Sequence, residues 1–150
     1  MKAVVRALSA LVFAVSLYAT PSAGVAAEKV YQEGTVWEIT YVRTMPGMFD
    51  KYMENLSHLW KGQMDGAIKK GYVLSYNIVS KQPANPTDWD LMLMVQYKNM
   101  AALDGLDSKM EAVAKEATGD TSEQMAQKTV ERGALREILG MVLTRELMFK

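Results

Sequence analysis

An α+β domain is expected from this chain, with a four-stranded antiparallel sheet and helices on one face. Two observations lead to it. Four segments alternate apolar and polar residues with period two, at 35–43, 72–80, 89–97 and 136–148. The first and second of these, and the third and fourth, are separated by stretches with apolar residues at helical spacing. The second and third are separated only by a short loop. Strand, helix, strand, strand, helix, strand is the βαββαβ order of the split βαβ, or ferredoxin-like, arrangement.

Each element has its own local signals. Thr35 to Arg43 is rich in β-branched and aromatic residues, with Trp37, Ile39 and Tyr41 on one face and Val36, Glu38, Thr40 and Val42 on the other. Met45-Pro46-Gly47 ends that strand, and Pro46 suits the first turn of a helix. A long amphipathic helix is expected from Gly47 to Lys69, with Tyr52, Leu56, Trp60, Met64 and Ala67 on its apolar side. Gly71 can stop it. In the second strand Tyr72, Leu74, Tyr76 and Ile78 share one face, and Val73, Ser75, Asn77 and Val79 the other. Pro83, Asn85 and Pro86 mark the loop. In the third strand Trp89, Leu91, Leu93, Val95 and Tyr97 oppose Asp90, Met92, Met94 and Gln96. Asn99 can cap the second helix, which Thr118-Gly119-Asp120 interrupts. Thr121 and Gln124 have the spacing of a capping box for a short further helix ending near Gly133. Leu139, Met141, Leu143 and Leu147 alternate in the last strand.

Residues 1–27 read as a secretory signal peptide. Lys2 and Arg6 are followed by the apolar run Ala7–Tyr18, a Pro/Gly-containing exit and Val25-Ala26-Ala27 at the cleavage point. The apolar run falls short of the roughly 20 residues that a membrane span needs. Residues 28–34 form a short leader and 35–150 the single domain, and the expected address is the periplasm or the exterior. Basic and acidic residues balance at 17 each, and the loss of Lys2 and Arg6 leaves a slight acidic excess. Such a chain has no basic surplus for phosphates, so nucleic acid is not an expected partner. There is no cysteine, which excludes disulfides, thiolate metal sites, a cysteine nucleophile and a lipoprotein anchor.

A sheet with helices on one side leaves its other side bare. Size and hydrophobicity assign Trp37, Ile39 and Tyr41, the Tyr72–Ile78 set and Leu91, Leu93 and Val95 to the helix side. The other side then carries Val36, Glu38, Thr40, Val42, Val73, Ser75, Asn77, Val79, Met92, Met94 and Gln96. That mixture is too apolar for a wet sheet face and too polar for a plain core. It fits the inside of a barrel closed by a second copy of the chain.

The element order, the turn at 43–47 leading into a long helix with Tyr52, and the strand from Trp89 to Tyr97 resemble the dimeric α/β-barrel superfamily. This group includes the antibiotic-biosynthesis-monooxygenase-like, EthD-like and haem-degrading proteins. The resemblance is one of pattern and spans most of 35–148. It implies a homodimer with an internal pocket, and it does not imply one activity. Monooxygenases of this kind that need no cofactor use an Asn, a Trp and a His around the pocket. The single histidine, His58, falls on the polar side of the first helix with Glu54, Lys61 and Asp65, so that set is not reproduced.

The expected function is an exported, homodimeric α/β-barrel protein that binds a small, partly apolar ligand and has no bound cofactor or metal. Its pocket is expected to be lined by Glu38, Thr40, Ser75, Asn77, Met92, Met94 and Gln96. One alternative is a cofactor-independent oxygenase or isomerase with Glu38 as the base. Another is a dimerising or partner-binding module without ligand. The bland role for Glu38 and Asp90 is pairing with Arg43 or Arg145. The twelve methionines, Met1 included, are read as packing, with copper(I) at Met45/Met48 or Met92/Met94 as the alternative. Trp37, Trp60 and Trp89 all lie on apolar faces and are read as core.

Overall fold

A computed structural model describes residues 28–150. The signal peptide expected at 1–27 lies outside the described residues. Strand β1 runs Tyr31–Thr44, and helix α1 runs Phe49–Asn55. A π-helical segment, Leu56–Trp60, joins α1 to α2, Lys61–Lys69. Strands β2, Ser75–Ser80, and β3, Leu91–Tyr97, follow. A 3-10 turn at Met100–Leu103 precedes α3, Leu106–Thr118. Helix α4, Ser122–Gly133, and strand β4, Arg136–Phe149, complete the chain.

The four strands form one antiparallel sheet in the order β2-β3-β1-β4. That order, with the βαββαβ sequence of elements, is the ferredoxin-like fold. Most local signals act where they were expected. Gly71 takes a left-handed φ of 72° just past α2. The Asn99 side chain accepts from the Ala102 amide, but it caps the 3-10 turn and not the second helix as expected, since α3 begins after a left-handed Gly105. Thr121 and Gln124 form the reciprocal capping box. β1 starts four residues before Thr35, because Tyr31, Gln32 and Glu33 pair with Phe149, Met148 and Leu147 of the long last strand. Residues 31–33 of the expected leader are therefore part of the sheet.

The pairing register corrects the face assignment of β1. Val36, Glu38, Thr40 and Val42 lie opposite Tyr97, Val95, Leu93 and Leu91 of β3. Directly paired residues share a face, so these four point to the helices. Val36, Val42 and Leu91 are 0% exposed. Each such burial contributes about 1.5–3 kcal/mol. Val36 packs with Met64, Ala67, Val73, Val95 and Val113, and Val42 with Tyr52, Leu56, Leu91 and Leu93. Trp37, Ile39 and Tyr41 lie on the open face instead. The reason is volume. The helices supply the large side chains Tyr52, Leu56, Trp60 and Met64, and small branched residues on β1 complement them. In β2 the assignment holds for Tyr76 and Ile78, which pair with Val95 and Leu93. Tyr72 also packs on the helix-side core, and the assignment fails for Val73 and Leu74, which precede the strand. There Val73 is buried and Leu74 is exposed.

Candidate functional site

The seven residues expected to line one pocket stand on two surfaces. Glu38 and Thr40 point to the helix side, whereas Ser75, Asn77, Met92, Met94 and Gln96 lie on the open face with Trp37, Ile39 and Tyr41. A single barrel interior holding all seven is ruled out by the register.

The open face is organised in zones. At one end a hydrogen-bond chain crosses all four strands. The Ser75 hydroxyl donates to Gln96 Oε1 at 2.6 Å, and Gln96 Nε2 donates to Thr35 Oγ1 at 2.8 Å. Thr35 Oγ1 and Trp37 Nε1 both donate to the Glu146 carboxylate, at 2.6 and 2.8 Å. These two donors hold the Glu146 carboxyl below the usual carboxylate range. The middle is apolar, with Ile39, Met94 and Val142 side by side across three strands and Asn77 beside Met94. At the far end Trp89 packs on Tyr41 with ring centroids 5.6 Å apart, and Lys81 Nζ sits 4.2 Å from the Trp89 ring. Two of the three tryptophans read as core, Trp37 and Trp89, therefore belong to this half-buried surface. Trp60 does pack on the core, edge-on to Tyr76 at 5.0 Å.

The helix side carries the second surface. The helices cover β1 and β3 and stop short of β4. Leu143 pairs with Glu38, Met141 with Thr40 and Ile138 with Val42, so all three point to the helix side. They are nevertheless 47%, 58% and 48% exposed. An apolar strip thus runs along β4 on the helix side, with Glu38 and Thr40 as its neighbours on β1.

Glu38 is half-buried on this side. Desolvation pushes its carboxyl pKa up, and the Asp107 charge on α3 pushes it further. The phenol of buried Tyr97 is also raised, by burial and by Glu38. Neither expected arginine reaches Glu38. Arg43 pairs with Glu137 and donates to the Pro86 carbonyl, and Arg145 pairs with Glu33. The other expected ion-pair member, Asp90, accepts instead from the Thr44 amide and hydroxyl. The pairing of Glu38 and Asp90 with arginines is thereby corrected. Pairing needs opposing register as well as opposite charge, and β4 brings Leu143, not an arginine, opposite Glu38. His58 is exposed, as its helical position implied. Among the described residues no three of His, Asp and Glu cluster as a metal site, and no helix is long and apolar enough to cross a membrane.

Thr35, Trp37, Tyr41 and Glu146 were absent from the expected pocket. Their signal was the polar tip on Trp37 and Tyr41, which a core position would have to satisfy.

No protein-family model matches the chain, and no curated protein matches it. Among solved structures the chain is similar to a dimeric ferredoxin-like protein from an uncultured marine organism. The identity is 9% and the TM-score 0.44, covering 79% of this chain and 90% of the other.

Proposed function

We propose that this chain is an exported, homodimeric α/β-barrel protein of the kind it resembles, and that it binds a small, partly apolar molecule on the helix side of β4. The observation that carries this reading is the strip of Ile138, Met141 and Leu143. Their neighbours on the same face of the sheet are closed over by helices, while these three stay open beside a half-buried, unpaired carboxyl. Exposed apolar side chains next to a few polar groups are the ordinary make-up of a ligand site. The open face, with Ile39, Met92 and Met94, serves as the dimer surface.

Native mass spectrometry of the protein purified from its own host tests export, assembly and ligand together. The expected result is a dimer starting at or near Glu28 and carrying extra mass. A monomer with Met1 retained and no added mass would overturn the reading.

A second reading is favoured by one observation. Glu38, raised by burial and placed near Tyr97 and Asp107, has the character of a general acid or base. The protein is then an oxygenase or isomerase working without a bound cofactor. In that case Glu38→Gln retains the ligand mass and abolishes turnover. Turnover that survives the substitution excludes it.

A further inference from the structure

Four arginines lie among the described residues, and two of them have carboxylate partners, Arg43 with Glu137 and Arg145 with Glu33. Arg132 and Arg136 have none among the described residues. They stand four positions apart, at the end of α4 and the start of β4, and both are half-buried. Their Nε atoms, like that of Arg145, are buried and without a hydrogen-bond partner among the described residues. Arg132 Nη2 donates only to the neutral Thr129 hydroxyl, at 2.9 Å. The Arg136 guanidinium lies 5.9 Å from the centre of the Tyr52 ring. One turn after Tyr52, the Oδ1 of Asn55 is also buried and unpartnered. Two half-buried cations thus stand together beside Tyr52 with no carboxylate partner among the described residues. The end of α4 offers a partial negative charge, but it gives no hydrogen bond to either Nε. Burial and the neighbouring Arg136 charge both push the Arg132 guanidinium down.

Arg136 also belongs to the ligand strip. It pairs with Thr44 and so stands on the same face of β4 as Ile138, Met141 and Leu143. At about 3.4 Å per residue, Met141 lies roughly 15 Å along the strand from Arg136. The apolar strip lies between Arg136 at one end and Arg145 at the other, and only Arg145 has a carboxylate partner, Glu33, among the described residues.

We propose that Arg132 and Arg136 form the anion-binding head of this strip and take the carboxylate of an amphipathic organic acid, whose apolar chain lies over Ile138 and Met141. Guanidinium groups present paired N–H donors that match the two oxygens of a carboxylate. The apolar half of this proposal rests on the ligand-binding reading above, and the anion half does not.

The test measures thermal stability and affinity of the mature protein with octanoate, octan-1-ol, acetate and inorganic phosphate, in wild type, Arg132→Gln and Arg136→Gln. Octanoate should raise the wild-type Tm and bind about tenfold or more tightly than octan-1-ol, because hydrogen bonds to a charged group are lost with the alcohol. Each Gln variant should be as stable as wild type or more so without anion, since it relieves the repulsion between two half-buried, unpaired guanidiniums, and should lose the preference for octanoate. Equal binding of octanoate and octan-1-ol, unchanged in the variants, overturns the anion site and leaves the apolar strip standing. A Tm response to acetate and octanoate alike that needs both arginines, with no gain from the chain, keeps the anion site and removes the strip. Phosphate acting more strongly than either acid overturns the carboxylate assignment. If no anion acts and the variants weaken the dimer, the counter-charge comes from the partner subunit and the proposal fails. Should a Gln variant not fold, the wild-type comparison of octanoate with octan-1-ol decides alone.

Discussion

Glu38 and Glu146 sit close to β1 on opposite faces of the sheet, and their environments give them opposite pH signatures. Glu146 accepts two hydrogen bonds and is lowered. Its contribution is present above the unfolded pKa and fades as pH falls through the folded one. Glu38 is raised by desolvation first and by Asp107 second. A raised carboxyl binds its proton more tightly when folded, so stability falls as pH rises from the unfolded value, about 4.3, through the folded one. Glu38→Gln should therefore raise Tm at pH 7, and the gain should vanish below pH about 4. Thermal unfolding of both proteins across that range checks it. A lower Tm for Glu38→Gln at pH 7 would mean that a cation pairs with the carboxylate in solution. The candidate residue Glu38 was legible beforehand, as a lone charge on a near-neutral strand face. Its surroundings were not, because Leu143, Tyr97 and Asp107 come from three distant segments.

The first helical run shows how an element accommodates its neighbours. The Lys61 amide donates to the Leu56 carbonyl five residues back, which makes the π turn between α1 and α2. Past that turn α2 meets α3 closely. A Cβ built at Gly66 would fall 2.8 Å from the Cγ1 of Val113, a buried and stiff β-branched side chain. Gly66→Ala gains about 1 kcal/mol of helix propensity, yet overpacking of this kind costs about 1–3 kcal/mol. The net expectation is lower stability. Val113→Ala should reverse the sign of the Gly66→Ala effect, so a double-mutant cycle by denaturant unfolding will show a strong coupling. Additive effects would show that the helices separate freely. Helix α4 is held differently. None of its residues is buried, and its capping box fixes its start. Those two statements together explain how a surface helix can place Arg132 beside Arg136.

For the molecule as a whole, β4 is the governing fact. It is a 14-residue strand at the edge of the sheet, with Leu139, Met141, Val142, Leu143 and Leu147 all exposed. Edge strands of this length and character aggregate unless something covers them. In the dimer proposed above, a second copy meeting the open face would cover Ile39, Met92, Met94 and Val142 and leave the helix-side strip free. The interface expected from the Val36/Thr40/Val73/Met92/Met94 set is corrected by the register, since Val36 and Val73 are buried under the helices and Thr40 faces them. Met94 stays on the open face. Met94→Lys should give a monomer or a precipitate in sedimentation velocity. A wild type that sediments as a monodisperse monomer at micromolar concentration refutes the dimer.

Element order, loop positions, the Thr121 cap and the Gly71 stop were all readable along the chain, because each depends on residues within one or two turns of one another. The α+β class and the ferredoxin-like order follow from them. The inward face of β1 was not readable. Trp37, Ile39 and Tyr41 are as apolar as Val36 and Val42, so alternation gives two faces without saying which is covered. That choice is made by the pairing of Val36 with Tyr97 and Val42 with Leu91, 61 and 49 residues apart in the chain, and by the volume the helices bring. The place where the helix layer ends is likewise a property of the packed molecule. It leaves Ile138, Met141 and Leu143 open, and it sets Arg132 and Arg136 together without a carboxylate between them, because no local pattern records which side chains a distant helix fails to reach.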